Sequence, residues 1–548
     1  MGFLRLAFSR RYVILTLVTL ANPILALLAL IQPWALAGLA GSLVLTYIGF
    51  HDLLQKRHAI LRSYPIAAHF RFLFEEIRPE IRQYFLESDT DGTPFNRDKR
   101  SIVYQRAKGQ LDKRPFGTQR DVYADGFEWL NHSLQPADAA KTPFRIKVGG
   151  PDCKQPYDLS VYNISAMSFG ALSANAIRSL NKGAAMGGFA HDTGEGSISR
   201  YHREFGGDLI WEIGSGYFGC RTLDGKFSPE NFARQAVDPQ VKMIEIKLSQ
   251  GAKPGHGGVL PGPKVTAEIA VTRGVQQGVD CVSPARHSAF STPRELMGFI
   301  AQLRELSGGK PVGFKLCIGH PWEFLSLCKA MLATQTYPDF IVIDGAEGGT
   351  GAAPLEFVDH IGMPLRDGLI FAHNALVGIG VRDRIKIGAA GKITSAFDMA
   401  RVMALGADWC NAARGFMFAV GCIQAQSCHT DRCPTGVATQ DPVRQRAVVV
   451  EDKSVRVSQF HGSTIKALAE VIAAAGLTHP NQLRPHHISK RIGTSEVKSY
   501  AELYPWLKPN ELLHGSDDHA YRHAWAMASA NSFTPLIPTE IEEAPILT

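Results

Sequence analysis

The chain has 548 residues, 20% of them charged, and a net charge of +7 at pH 7. That length predicts a large core and more than one domain, and the charge is too mild to point to nucleic acid. The nine cysteines are odd in number and only three of them cluster, which argues for a reducing compartment and against a disulfide framework.

The first feature in chain order is a run without a charged residue from Tyr12 to Phe50. As one helix it would extend about 58 Å at about 1.5 Å per residue, roughly twice the hydrocarbon core of a bilayer. Two crossings fit better, near Tyr12–Ile31 and Trp34–Phe50, with a tight turn at Gln32–Pro33. Arg5, Arg10 and Arg11 precede the run, and Lys56, Arg57 and Arg62 follow it. Positive charge at both ends predicts both in the cytoplasm, at an inner membrane. A signal peptide does not fit a run this long. A re-entrant or interfacial hairpin is the alternative, because Asn22–Pro23 interrupts the first segment. Residues 1–62 are thus expected as a transmembrane hairpin. Residues 63–150 are polar and mixed, and Phe70–Phe85 carries a helical period limited by Pro79; this region reads as a helical connector.

From about Tyr157, short apolar or β-branched runs alternate with helix-like segments. The runs are Leu159–Ile164, Gly188–Asp192, Met243–Leu248, Asp280–Val282, Val312–Leu316, Phe340–Ile343, Arg384–Ile387 and Trp409–Ala412. Strands that alternate with helices predict an α/β fold, a parallel (βα)8 TIM barrel over residues 151–480, followed by a C-terminal extension and loosely held tail over 481–548. In such barrels chemistry sits at the strand C-termini. Those ends read SAMSFG, TGEGS, KLSQGAKPG, SPARH, KLCIG, DGAEGGTG, GAAG and ARG, residues suited to a phosphate-bearing cofactor and a polar substrate. Gly388–Ser395 precedes a helical stretch whose first N–H groups can cradle phosphate. Asn411–Gly415 follows the eighth run. A Gly-rich turn alone is as often only a tight turn, but barrels commonly bind phosphate at strands seven and eight.

Gly415–Gly436 carries Cys422, Cys428 and Cys433, spaced C-x5-C-x4-C, with Pro434 directly after. Thiolates select zinc, copper(I) or iron–sulfur. Three of them suit a cluster with one iron missing, or a zinc site completed by His429. The bland alternative is three buried, unligated cysteines, which have no reason to crowd a polar loop. The loop begins seven residues past Gly415, a reach of at most about 25 Å, so a metal centre here neighbours whatever the barrel mouth binds.

SAMSFGALS, TGEGS, IKLSQGAKPGHGGVLPG, EGGTGAAP, the Gly391–Lys392 loop and CIQAQSCHTDRCPTGVATQ together resemble the FMN-binding synthase domain of glutamate synthases, over roughly Tyr157 to Pro442. The resemblance implies a 3Fe-4S cluster on Cys422, Cys428 and Cys433, and FMN over the C-terminal mouth. It implies Met167 and Ser168 beneath the flavin ring and Lys315 near it, with Gly348, Gly349, Gly391, Lys392, Arg414 and Gly415 at ring edge or phosphate. It implies a 2-oxoglutarate site from Lys247, Gln250, Lys253 and Arg273. A dicarboxylate needs at least two cations, and Arg can grip one carboxylate twice; a single Lys is otherwise most often a solvated surface charge.

The chain departs from the family pattern at the mouth. His256 stands where Glu is expected, Val259 where Gln is expected, and His287-Ser288-Ala289 replaces a His-His-Asp run. Gly319 and His320 follow Lys315-Leu316 in place of an acid, and Glu347 replaces Asp. No N-terminal Cys nucleophile and no room for a glutaminase domain are visible, so this chain by itself is not expected to hydrolyse glutamine. Nor is a dinucleotide fingerprint visible between a strand and a helix. The resemblance therefore implies reductive amination of 2-oxoglutarate or a similar 2-oxo acid by ammonia or an amine. Electrons would come from an external partner: a ferredoxin, a flavoprotein or a membrane donor. Glu195 and His287 are the acid–base candidates, each with a capping or core hydrogen-bonding role as the alternative. An N-substituted glutamate synthase, an amino-acid dehydrogenase, and a non-catalytic membrane-tethered scaffold are the rival readings.

Overall fold

The structure is a computed structural model and describes residues 9–536. Arg5 and residues 537–548 of the expected tail lie outside the described residues. The chain divides into two compact units, Met1–Arg97 and Asp98–Thr548.

In the first unit, Val13–Ala29 and Ala35–Leu54 are helices that pack on one another. Short polar side chains bond across the pair. Asn22 Nδ2 donates to Thr46 Oγ1 at 2.9 Å, and Ser42 Oγ donates to the Val18 carbonyl at 3.0 Å. The outward face is left apolar, with Leu17, Leu20, Ile24, Leu27 and Leu30 exposed. Pro23 sits within the first helix without ending it. Ala35–Leu54 is long and apolar enough to cross a membrane, whereas Val13–Ala29 is apolar but shorter. Ala68–Ile81 is the amphipathic helix expected from the Phe70–Phe85 period. Pro79 lies inside it, and a π-helical turn at Arg82–Leu86 follows where an earlier stop was expected. The π turn closes through the Glu87 N–H, which donates to the Arg82 carbonyl at 2.8 Å.

The second unit is built on a closed barrel of eight strands in sequence order. They are β1 (Tyr162–Ile164), β2 (His191–Asp192), β3 (Leu209–Ile213), β4 (Val241–Lys247), β5 (Val312–Leu316), β6 (Phe340–Asp344), β7 (Lys386–Ala390) and β8 (Trp409–Ala412). Every neighbouring pair is parallel, and β8 closes on β1 through Cys410 opposite Tyr162. The intervening helices cover the outside, which is why the strands are buried along their length.

Two of the expected strands are corrected. Leu209–Ile213, with Glu212 inside it, is the third barrel strand and is not among the expected runs. That glutamate is 1% exposed; a partner from another strand, invisible in the sequence, carries its charge. Conversely, the run at Asp280–Val282 is not in the barrel. Cys281–Val282 pairs antiparallel with Val259–Leu260 in a two-stranded flap. The run Leu159–Ile164 also divides. Tyr157–Ser160 pairs with Arg145–Val148 in a hairpin, and Tyr162–Ile164 enters the barrel as β1. Val148 and Leu159 of that hairpin join Ile210, Met243, Phe340, Val342 and Trp409 in one buried cluster, so the hairpin seals the barrel's N-terminal end.

Asp339, which leads into β6, ties that end together. It accepts from Arg304 Nε at 3.1 Å, from Arg304 Nη2 at 3.0 Å, and from the N–H groups of Gly150 at 2.7 Å and Val312 at 2.9 Å. Both partners are buried. Asp339→Ala leaves the Arg304 guanidinium buried without its counter-charge, and the expected loss is about 3–5 kcal/mol of stability, measured by thermal or denaturant unfolding.

Candidate active site

The strand C-termini meet at a mouth whose loops touch because glycine lets them. Gly194, at φ +66°, packs so closely that an added Cβ would sit 2.7 Å from the Ser168 nitrogen. The loop after β2 thus rests on Met167 and Ser168 of the loop after β1. Across the mouth, the Gly251 N–H donates to Asp344 Oδ2 at 2.8 Å, and an added Cβ there would overlap the Gly345 carbonyl. This fastens the KLSQGAKPG loop to the loop after β6.

Four charged side chains converge between these loops. Lys247 Nζ, at the end of β4, lies 3.3 Å from Glu195 Oε1, and Ser283 Oγ donates to Glu195 Oε2 at 3.3 Å. Lys253 and Arg273 are 2% and 4% exposed. Burial pushes the Glu195 carboxyl up, but Lys247, Arg273 and Lys253 outweigh it and hold Glu195 below its ordinary range. Burial lowers Lys253, with Glu195 opposing and Lys247 adding to the fall. Arg273 is not wholly available to a ligand: Nη2 donates to the Phe169 carbonyl at 3.1 Å and to Ser168 Oγ at 3.3 Å. Gln250 contributes its backbone, its carbonyl accepting from the Lys253 N–H at 3.3 Å. Three cations therefore face one carboxylate.

His287 is buried against this group. Burial lowers it to about 4, so it is a neutral imidazole at neutral pH. Nε2 lies 2.8 Å from the Lys247 carbonyl and Nδ1 lies 3.1 Å from the Tyr217 hydroxyl. The Tyr217 oxygen accepts from the N–H groups of Ser288 and Ala289 at 3.1 and 3.0 Å. The hydroxyl proton is thus left for Nδ1, and Nε2 carries the proton toward Lys247.

At the far side, the loops after β6, β7 and β8 bring glycines and two cations together. Arg414 Nη2 donates to the Glu347 carbonyl at 2.7 Å. A Cβ on Gly349 would lie 2.8 Å from the Arg414 guanidinium carbon, and Gly348 donates to the Gly345 carbonyl at 2.8 Å. Gly391 lies against Glu347 and Leu365. Burial lowers Arg414 to about 10. Burial also lowers Lys392, and the Arg414 charge lowers it further. Gly415 faces the core instead, toward Tyr162 and Phe460.

Lys315 lies just beneath the mouth. It is buried, with Nζ in close contact with Glu212 and 3.0 Å from Glu245 Oε1. The cysteine loop follows the helix Arg414–Val420. Burial pushes Cys422 up to about 12, with Cys428 and Cys433 adding to the rise. Burial acts the same way on Cys433, but N–H groups at Ala438, Thr435 and Val437 and the Thr435 hydroxyl outweigh it and lower that thiol. Lys264, also buried, donates to the carbonyls of Ala171 at 3.1 Å and of Cys428 and Ala438 at 3.4 Å. It joins the cysteine loop to the loop that carries Met167 and Ser168. Among the described residues, the set of His, Cys and acidic ligand atoms lying within 4.8 Å of one another is Asp192, Glu212 and Glu245. The cysteine sulfurs and His429 are not gathered that tightly.

Glu212, Tyr217, Lys264 and Asp344 were not singled out from the sequence. Glu212 and Tyr217 belong to the strand that was passed over and to its loop. The available signal was a charged residue inside a β-branched and aromatic run, followed by GSGYFG.

Residues 142–478 match the conserved region in glutamate synthase. The chain is 38% identical over 486 residues to the glutamate synthase large subunit-like protein YerD of Bacillus subtilis, covering 81% of this chain and 92% of that protein. It is 33% identical over 359 residues to an archaeal glutamate synthase (NADPH) of Methanocaldococcus jannaschii, 65% of this chain and 66% of that protein. It is 34% identical over 336 residues to an archaeal-type glutamate synthase (NADPH) of Thermotoga maritima, 61% of this chain and 63% of that protein. The chain thus spans a little under two thirds of these two relatives. With a match over the barrel, its mouth and its cysteine loop, the chain belongs to the glutamate synthase family of oxidoreductases.

Proposed function

We propose that this chain is an FMN- and iron–sulfur-dependent glutamate synthase that aminates 2-oxoglutarate, or a closely similar 2-oxo diacid, with electrons from a separate partner. The observation that carries this reading is the charge at the mouth. Lys247, Lys253 and Arg273 against Glu195 leave two positive charges in a buried site, which a dicarboxylate neutralises.

The donor chemistry suits both cofactors. Lys392 and Arg414, each lowered by burial and the lysine further by its neighbour, form a cationic pair that a phosphate dianion relieves, beside glycines that leave room for it. Gly348, Gly349, Gly391, Lys392 and Arg414 would hold FMN at its phosphate and ring edge, with Met167 and Ser168 on the opposite loop. Three thiols on one loop, Cys422, Cys428 and Cys433, form a donor set suited to a cluster with one iron missing, a 3Fe-4S cluster. When bound, FMN supplies hydride to a carbon–nitrogen double bond and the cluster supplies single electrons.

The protein's own part is placement and charge. Lys253 and Lys247 hold one carboxylate, and Arg273, fixed by Ser168 and Phe169, offers its remaining donors to the other. Glu195, ionised and paired with Lys247, is the group able to accept a proton from an incoming ammonia or amine and return it to the departing oxygen. Neutral His287 fixes the Lys247 backbone through Nε2 and so sets where that ammonium points. Lys315 supplies positive charge under the mouth. We also infer that the apolar pair Val13–Ala29 and Ala35–Leu54 anchors the chain in a membrane with its barrel in the cytoplasm. The basic residues Arg10, Arg11, Lys56, Arg57 and Arg62 at its ends support that reading.

Anaerobic protein with chemically reduced flavin should be reoxidised by 2-oxoglutarate together with ammonia or methylamine, and only slowly by either alone; no reoxidation by any 2-oxo acid with any amine overturns the reading. Lys253→Met should lower kcat/KM for 2-oxoglutarate about 10–100-fold, mostly through KM, as expected for one lost charge-assisted hydrogen bond. Cys428→Ser should remove the bound iron and its electron paramagnetic resonance signal while flavin absorbance is kept.

A further inference from the structure

The inside of the barrel holds more negative charge than a dry core tolerates. Asp192 ends β2, Glu212 lies in β3, Glu245 in β4 and Lys315 in β5, four strands that are consecutive around the barrel. Glu212 and Glu245 are directly opposite one another in the β3–β4 register. One carboxylate oxygen from each of the three acids falls within 4.8 Å of the others. All three acids are 1% exposed and Lys315 is 3% exposed.

Full ionisation would set three negative charges against one ammonium. Among the described residues no second cation is paired with these three acids: Lys247, the next along, is paired with Glu195. Asp344, a further acid near the cage, has its Oδ2 on the Gly251 N–H, and His191, beside Asp192, is held neutral by burial, at about 3. Like charges in contact within low dielectric do not all ionise. The ammonium itself occupies the place a metal ion would take, since Nζ contacts Glu212 and lies 3.0 Å from Glu245. Glu245 Oε1 has only the Lys315 ammonium, while Asp192 Oδ2 and Glu245 Oε2 are buried without a partner, which a proton between the two carboxyls would repair.

We propose that Asp192 and Glu245 share one proton, and that this un-ionised carboxyl leaves two carboxylates rather than three around the charged ammonium of Lys315 beneath the mouth. Asp192 and Glu245 are positioning residues that act through Lys315, and the inference does not depend on what the mouth binds. Burial, then Glu245, raises Asp192 well above its ordinary range. Burial raises Glu245 to about 7 against the pull of Lys315. Burial opposes the charge on Lys315, but Glu212, Glu245 and Asp192 outweigh it and raise that group.

The sign of the pH effect follows. Between the ordinary carboxyl range and about 7, the folded chain keeps a proton that the unfolded chain has released. Stability therefore falls as pH rises through that window and levels above it. The test is infrared spectroscopy on the full-length protein as isolated, in H2O and D2O, with Tm followed from about pH 5 to about pH 8. The wild type should show a carbonyl stretch of an un-ionised carboxylic acid that moves to lower frequency in D2O and fades as pH passes neutrality. Glu245→Gln and Asp192→Asn should each remove that band and flatten the fall in Tm across the window. If one variant does not fold, the other carries the test. The absence of the band from the wild type overturns the proposal, as does its persistence unchanged in both variants. A stoichiometric divalent cation in the wild type that is lost in Glu245→Gln overturns it too, because a metal would then balance the cage.

Discussion

Charge buried at the C-terminal end of the barrel is the constraint on which the rest of this structure depends. Lys247, Lys253 and Arg273 are withdrawn from water around a single carboxylate, and Lys315 is withdrawn among three. Each placement costs solvation that only close partners restore. The partners come from different strands and loops: Glu195 from the loop after β2, Glu212 and Glu245 from β3 and β4. Parallel pairing of neighbouring strands sets them side by side, and curling the sheet into a barrel turns them inward, away from water.

Glycine provides the second condition. The loops at the mouth are held by backbone groups and carboxylates rather than by packed apolar side chains. Gly194 and Gly251 lie where any side chain would collide with the neighbouring loop. Removing the side chain lets two backbones approach and leaves concave space above the strand ends. The same property appears at Gly348 and Gly349 around Arg414. Polar, glycine-rich loops on a rigid apolar barrel thus separate the work of stability from that of binding.

The N-terminal unit distributes its polar side chains differently. Its helices turn Asn22, Thr46 and Ser42 inward and leave leucines outside, the reverse of a helix pair in water. In the barrel unit, buried polar groups are satisfied by a scaffold of many strands. In the hairpin, a few short polar side chains bond across the pair.

The barrel was legible in the sequence because most of its strands are short, largely apolar or β-branched stretches that alternate with helical ones, and that alternation is local information. So was the family, carried by contiguous motifs around Lys247–Lys253 and Cys422–Cys433. Leu209–Ile213 was not legible, and its Glu212 has its counter-ion in Lys315, 103 residues later. Cys281–Val282 misled the other way, being apolar enough for a strand but paired antiparallel outside the barrel. The sequence by itself determined which residues could form strands and which chemical groups would stand at their ends. Only the tertiary structure decided which charges meet, that Arg273 is tethered by Ser168 and Phe169, and that His287 holds Lys247 with both ring nitrogens engaged. Electrostatic partnership depends on distance in space, and that distance exists only after the sheet has closed.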